Sequence, residues 1–177
     1  MAETIHQTVR DAYGAIAYVG RPFHETHPNR LLAVAQLHGV APPKRETISV
    51  LEIGCGDGAN LVPMAASYPR GRFVGIDLSE RLIASARALV EGAGIPNVTL
   101  LQGDVGTLPS RVGAFDVIVA HGFYSWVPPD VRDTMFRTIA SRLSPGGVAY
   151  VNYNLLPVGW ISRIGRDAMQ FHVRATA

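Results

Sequence analysis

The chain has 177 residues, enough for one domain with its own core, and 47% of them are hydrophobic. Sixteen basic and fourteen acidic side chains leave a formal charge of +2, which argues against a nucleic-acid partner or an anionic membrane surface. The only lysine, Lys44, lies between Pro43 and Arg45, and the only cysteine is Cys55. This composition excludes a lysine-containing phosphate loop, an intramolecular disulfide and a cysteine-cluster zinc site.

Residues 1–47 form an N-terminal segment that the pattern divides into a lid and a helix. A helix is predicted over 29–38, and the loop from Tyr13 to His27 is expected to fold over a ligand. His24 and His27 have no third ligand nearby in the sequence, so no metal site is predicted. With no secretory signal and no run of 18 apolar residues, we expect a cytoplasmic protein without a membrane partner.

Residues 48–160 alternate between short apolar runs and amphipathic stretches, a pattern typical of an α/β domain. Strands are predicted at 48–53, 72–76, 98–101, 115–120 and 147–152, and helices at 59–68, 79–90 and 128–143. Crossovers of this length favour a doubly wound, mostly parallel sheet of the Rossmann-like type. Residues 161–177 are expected to begin a helix. Because no strand pattern follows Trp160, we expect the final strands to be missing and the chain to be a fragment of a longer polypeptide.

The densest motif is E-I-G-C-G-D-G at 52–58, directly after the first predicted strand. Glycines permit the positive φ angles of a tight turn and let a ligand approach the backbone. Asp77 ends the second strand and Asp104 follows the third, so both carboxylates are expected at the same edge of the sheet as the turn. A carboxylate at the position of Asp77 can accept both hydroxyls of a ribose. Steric turn formation by the glycines and helix capping by the two aspartates remain alternatives at this point.

The charge around the turn distinguishes two nucleoside ligands. The dinucleotide pattern G-x-G-x-x-G/A can be written through Gly54, Gly56 and Ala59, so glycine spacing alone does not exclude NAD. Glu52 and Asp57 flank the turn, however, and carboxylates are unfavourable beside a pyrophosphate. They favour a ligand that carries a sulfonium and an ammonium group, which points to S-adenosylmethionine as the cofactor.

These motifs, taken in order, resemble class I S-adenosylmethionine-dependent methyltransferases. The resemblance rests on E-x-G-x-G-x-G at 52–58, on Asp77, on Q-G-D-V at 102–105 and on F-D-V-I-V-A-H-G at 115–122. More narrowly, segments 24–31, 51–64, 120–133 and 150–160 are similar to a bacterial branch in which a methyltransferase regulatory domain follows the catalytic domain. That branch includes rickettsial protein-lysine methyltransferases, and the resemblance covers nearly the whole chain.

The resemblance implies a set of cofactor-binding residues, from the methionine end of the cofactor to its adenine. They are Glu52, Gly54, Cys55, Gly56, Gly58, Asn60, Asp77, Leu78, Asp104, Val105, His121 and Gly122. In this set Asp77 would hold the ribose, Leu78 would pack on the adenine and Asp104 would contact the adenine amino group. His121 and Gly122 fall where the reactive methyl group is presented.

The methyl acceptor is expected beside the aromatic loop that follows the fourth strand. Aromatic rings suit an alkylammonium group, which favours a protein lysine, and the predicted acceptor-binding residues are Tyr13, Tyr124, Trp126 and Tyr153. Core packing of Phe123 and Trp126 is the structural alternative. A small-molecule O- or N-methyltransferase and a non-catalytic S-adenosylmethionine-binding module are the functional alternatives, and the sequence identifies neither a catalytic base nor an oligomeric state.

Overall fold

The structure, a computed structural model, describes residues 20–41, 43, 45–155, 164 and 168. Within these residues the strands are β1 (Ser49–Ile53), β2 (Arg72–Asp77), β3 (Val98–Gln102), β4 (Phe115–Ala120) and β5 (Leu143–Val151). The α-helices are α1 (Pro28–Leu37), α2 (Leu61–Ala66), α3 (Glu80–Ala93) and α4 (Pro129–Arg142). Predictions that concern Tyr13 or a helix near Ile161 fall outside the described residues.

The strands form one parallel sheet in the order β3-β2-β1-β4-β5. This order confirms the doubly wound α/β fold predicted from the sequence. The chain first builds β2 and β3 on one side of β1 and then places β4 and β5 on the other side. The carboxyl ends of β1 and β4 therefore flank a topological switch point, where sheets of this kind bind their ligands.

Two core clusters, one for each face of the sheet, hold the strands in place. All five residues of β1 are buried, as in a parallel strand covered by helices on both faces. Val50 belongs to one cluster with Leu61 of α2, and its neighbour Leu51 belongs to the other with Met135 of α4. Alternate side chains of a strand point to opposite faces, which explains the division. Each such side chain contributes about 2 kcal/mol when fully buried.

Helix α3 extends beyond the predicted end at residue 90. The hydrophobic pattern misses its last turn because that turn faces solvent. The Ser79 Oγ accepts a hydrogen bond from the Leu82 amide at 3.3 Å, which fixes the start of the helix as expected. The helix continues to Ala93 and ends at Gly94, whose φ of 64° is left-handed. The last-turn residues 91–93 are exposed, so the hydrophobic spacing that predicts a helix stops before the backbone does.

The largest difference from the predicted elements lies in β5, which begins at Leu143 rather than at residue 147. Leu143 pairs with Phe115, whereas Val148 pairs with Val117, so the register shifts between the two pairs. Gly146 has a φ of 76°, which helps the strand accommodate the additional residues. Among the described residues, no helix combines the length and the apolar character needed to cross a membrane.

Candidate functional site

The turn after β1 has the backbone that its glycines predict. Gly54, Gly56 and Gly58 have φ angles of 72°, 55° and 78°, all in the left-handed region that favours glycine. The amides of Gly54 and Cys55 donate to the Ile76 carbonyl oxygen at 2.8 and 3.2 Å. These bonds fasten the turn to the end of β2, at the switch point of the sheet.

Two glycines of the turn differ in what surrounds them. A Cβ added to Gly54 would lie 2.8 Å from the Phe123 ring, whereas a Cβ added to Gly56 would meet no atom within 4 Å. Phe123, from the loop after β4, therefore rests directly on the Gly54 backbone. The turn is in contact with the β4 loop at one glycine and open at the other.

Asp77 lies between the turn and α3 and accepts hydrogen bonds from the turn and from Ser79, the residue before the helix. Its Oδ2 accepts from the Gly56 amide and its Oδ1 from the Ser79 amide, both at 2.9 Å. Burial raises the pKa of Asp77, against the lowering effect of these hydrogen bonds. The cap of α3 is the Ser79 side chain, so Asp77 holds the turn that precedes the helix, and the predicted ribose contact would use the same carboxylate.

Glu52 is a buried acid that Asn60 binds through one of its two oxygens. Its exposed fraction is 4%, and its Oε1 accepts from the Asn60 Nδ2 at 2.6 Å. Its Oε2 has no hydrogen-bond partner in the part of the chain that the structure describes. Burial raises the pKa of Glu52 to about 8, and the nearby carboxylates of Asp77 and Asp57 act in the same direction. Glu52 is therefore mostly protonated at neutral pH.

Residues 20–27, the N-terminal loop, lie on the turn, in the region where the sequence predicts a lid. The Gly20 amide donates to the Asp57 Oδ2 at 3.0 Å, and the Phe23 amide donates to the Asn60 Oδ1 at 2.8 Å. Thr26 is fully buried and its hydroxyl lies 3.1 Å from the Asn60 Nδ2. Asn60 thus connects the N-terminal loop to Glu52.

His121, the first residue after β4, is enclosed by aromatic rings. Its ring centroid lies 3.8 Å from that of Phe23 and 6.2 Å from that of Tyr150, and the planes of His121 and Tyr150 are 11° apart. The His121 Nε2 is 3.8 Å from the Glu25 Oε1. Burial lowers the pKa of His121, and the Glu25 carboxylate opposes this effect.

An open hollow of about 310 Å³ lies beside the ends of β4 and β5. We call it the aromatic hollow, and its lining residues are Tyr124, Phe136, Val151 and Tyr153. The Tyr124 ring centroid is 5.9 Å from those of Phe136 and Tyr153, and the Arg132 guanidinium lies 4.9 Å from it. Trp126, in the same loop as Tyr124, is 53% exposed. The structural alternative of core packing therefore does not describe Trp126, whereas Phe123 does pack against the core.

Other predicted cofactor residues use their side chains within the fold. The Cys55 thiol is buried beside Gly75 of β2, where a Cβ on Gly75 would lie 2.7 Å from the sulfur. The Asp104 Oδ1 accepts from the Gly106 amide at 2.8 Å, and Val105 is buried in the core. Leu78 is half-buried after β2. The assignment of these residues to the cofactor stays a prediction.

The sequence pattern missed how Glu25 and Thr26 take part in the site. Both are distant in the chain from their partners, His121 and Asn60, and a local pattern carries no signal for such pairs.

Gly122 and Asn152 form a similar pair, in which the Gly122 amide donates to the Asn152 Oδ1 at 2.6 Å. This bond connects the loops after β4 and β5.

Comparisons with known proteins agree with this arrangement. Residues 50–147 match a family model described as a methyltransferase domain. Two uncharacterized proteins of Rickettsia prowazekii (strain Madrid E) are similar along nearly the whole chain. RP789 is 39% identical over 161 residues, which is 90% of this chain and 29% of that protein. RP028 is 37% identical over 169 residues, which is 95% of this chain and 67% of that protein.

The structure of PKMT2 from Rickettsia typhi in complex with AdoHcy, S-adenosylhomocysteine, superposes with a TM-score of 0.84 at 38% sequence identity. The matched part covers 90% of this chain and 31% of that chain. The chain thus spans about a third of PKMT2 and of RP789, and two thirds of RP028. The family match covers more than half of the chain, and the parallel, doubly wound sheet is the type expected from the sequence. The chain therefore belongs to the family of S-adenosylmethionine-dependent methyltransferase domains.

Proposed function

We propose that this chain binds S-adenosylmethionine on the turn at 52–58 and transfers its methyl group to the side-chain amine of a protein lysine. The observation that carries the acceptor assignment is the aromatic hollow, which lies open at the same edge of the sheet as the turn. The small-molecule alternative would favour a pocket that encloses most of its ligand.

The residues of the turn fit the cofactor. The Glu52 Oε2, which has no partner among the described residues, is a buried polar atom beside the turn, and a ligand with positive charge would favour the ionised carboxylate there. Gly56 leaves its surroundings open for a ligand, and Asp77 offers a carboxylate at the end of β2. When bound there, S-adenosylmethionine supplies an electrophilic methyl group on sulfur. Transfer of that group is an in-line displacement, so the chain contributes mainly by orienting the two reactants and excluding water.

The aromatic hollow suits a long alkylammonium side chain. Cations are attracted to the faces of aromatic rings, and the hollow is lined by the rings of Tyr124, Phe136 and Tyr153. Tyr153 and Phe136 are exposed and supply further apolar surface for a lysine stem. An open hollow also admits a side chain that projects from a folded protein. The similarity to PKMT2 and to the branch of rickettsial protein-lysine methyltransferases supports the same acceptor class.

Mass spectrometry of bacterial lysate proteins, after incubation with the chain and deuterated-methyl cofactor, tests the proposal. We expect labelled methyl groups on lysine side chains, and we expect Asp77→Ala to remove most of the label because it weakens cofactor binding. Asp133→Ala, at an exposed position of α4, is the matched control and should retain the label. Label found only in the small-molecule fraction would contradict the lysine assignment and favour the alternative enzyme class.

A further inference from the structure

His121 is a shielded titratable side chain at the edge of the sheet where the methyl group is expected. Its side chain is 16% exposed, because Phe23 covers one ring face and Tyr150 lies near it on β5. Neither ring nitrogen of His121 has a hydrogen bond within the described part of the chain, and the Glu25 Oε1 lies 3.8 Å from its Nε2. A shielded imidazole without a hydrogen bond has a lone pair available to a ligand.

The groups that face His121 keep the ring neutral near pH 7. Burial lowers its pKa, Glu25 raises it and Arg21 lowers it, with both charged groups coming from the N-terminal loop. From β5 the facing titratable group is Tyr150, whose pKa is raised by burial, so it stays an uncharged phenol. Glu25 also contacts the His24 Nδ1 at 3.2 Å.

Of these groups, His121 is the one suited to accept a proton from an amine. A hydrogen bond from its own backbone lowers the pKa of Glu25 and makes this carboxylate a weak base. Tyr150 has no lone pair of comparable basicity while it remains protonated. An imidazole that is neutral at working pH is the usual general base, and such groups contribute about 100- to 10,000-fold in rate.

We propose that His121 is the general base of the methyl transfer, with the Glu25 carboxylate, 3.8 Å from its Nε2, stabilising the imidazolium that forms. The inference rests on the proposed function, because an amine acceptor is protonated at neutral pH and cannot attack in that form. The lysine ammonium gives one proton to a ring nitrogen of His121. The neutral amine nitrogen then bonds to the methyl carbon, whose bond to sulfur breaks with the electron pair left on sulfur. The product ammonium carries the positive charge that sulfur loses, and the imidazolium returns its proton to water.

Two measurements on the full chain test this role. The first is activity-independent: histidine ring resonances are followed by NMR in the presence of S-adenosylhomocysteine while n-butylamine is added as the amine probe. We expect the His121 resonance to shift on addition of the amine, and the resonance of His38, which is exposed after α1, to stay unchanged. Glu25→Gln should alter the shift of His121 without abolishing it. Absence of any amine-dependent shift of His121 would overturn the inference.

The second measurement is the pH dependence of methyl transfer to poly-L-lysine between pH 7 and 9.5. For His121→Asn we expect a rate about 100-fold below wild type near pH 7.5. The deficit should shrink about tenfold per pH unit, because the free amine, which needs no base, becomes more abundant. Added imidazole should partly restore His121→Ala, and the matched control His38→Asn should behave as wild type.

The outcomes distinguish a failure of the role proposed for His121 from a failure of the proposed lysine acceptor. A deficit that is the same at every pH and is not relieved by imidazole would mean that His121 only packs or binds the cofactor, and this overturns the inference. If the wild-type chain methylates no lysine at any pH, that result contradicts the proposed function instead. The NMR measurement then decides whether an amine still binds beside His121. Thermal unfolding of each variant shows whether Phe23 and Tyr150 still hold a folded site.

Discussion

Replacing Glu52 by Gln removes an acid that the folded chain keeps protonated. Burial raises the pKa of Glu52 to about 8, whereas an unperturbed glutamate titrates at 4.5. Below pH 4.5 the residue is protonated in both the folded and the unfolded chain, so its titration does not make stability depend on pH there. Between these two values the unfolded chain releases a proton that the folded chain retains. The free energy of unfolding of wild type therefore falls as the pH rises through this window.

The size of the effect follows from the two pKa values. Each pH unit within the window is worth about 1.4 kcal/mol, so the loss reaches about 3 kcal/mol at pH 7 and about 4 kcal/mol at pH 8, where half of the folded chains have ionised. Gln has no titrating proton, but its carbonyl oxygen still accepts a hydrogen bond from the Asn60 side chain. We therefore expect Glu52→Gln to gain stability relative to wild type from pH 5 to pH 8. A difference in packing would shift the whole curve without changing its slope.

Urea unfolding followed by circular dichroism, in steps of about half a pH unit between pH 5 and 8, measures the slope directly. Glu91→Gln is the matched control, since Glu91 is exposed on α3 and its replacement should leave the slope of wild type unchanged. Parallel curves for wild type and Glu52→Gln would refute the reasoning, because they would mean that Glu52 ionises equally easily in the folded chain.

Three further substitutions test the site. Asp77→Ala should weaken S-adenosylhomocysteine binding by about 2 kcal/mol in calorimetry, through loss of a charged acceptor for the ribose hydroxyls; unchanged affinity in a folded variant would leave Asp77 with its contacts to the Gly56 and Ser79 amides alone. Gly54→Ala should lower the Tm more than Gly56→Ala, because only at Gly54 does the new Cβ meet Phe123, at 2.8 Å, and equal losses would contradict this contact. Trp126→Ala, at a 53% exposed position, should lower kcat/KM for a lysine acceptor roughly 10- to 100-fold with little change in Tm. A parallel fall in Tm and cofactor affinity would instead make Trp126 a packing residue.

The fold was predictable because its strands are short, apolar and separated by strong turn signals. Buried parallel strands such as β1 need apolar residues on both faces, and that requirement is visible in a single sequence. The register shift in β5 was not predictable, since it depends on how Leu143 and Val148 align with β4. The final turn of α3 was missed for a different reason: its exposed residues give no hydrophobic spacing to detect.

Some features of the site are encoded locally in the sequence, whereas others depend on contacts between distant residues. The turn at 52–58 and the carboxylate of Asp77 are encoded locally, by glycines with positive φ and by the end of a strand. The contacts of the N-terminal loop are not, because Phe23 and Asn60 are 37 residues apart and only the folded chain brings them together. The exposure of Trp126 also depends on the tertiary fold, so the sequence left its role open between packing and recognition.

Asn60 shows how the buried acid and the N-terminal loop are connected. Its amide group donates to the Glu52 Oε1 at 2.6 Å and accepts from the Phe23 amide at 2.8 Å, so both ends of the side chain are used. An aspartate at this position could accept from Phe23 but could not donate to an ionised Glu52. Hydrogen bonds to an ionised acceptor are about twice as strong as those between neutral groups, so a positively charged ligand that favours ionised Glu52 also strengthens its bond to Asn60. The Phe23 ring lies 3.8 Å from that of His121. The Asn60 side chain, whose bond to Glu52 strengthens when Glu52 ionises, therefore also holds the residue that shields the proposed base.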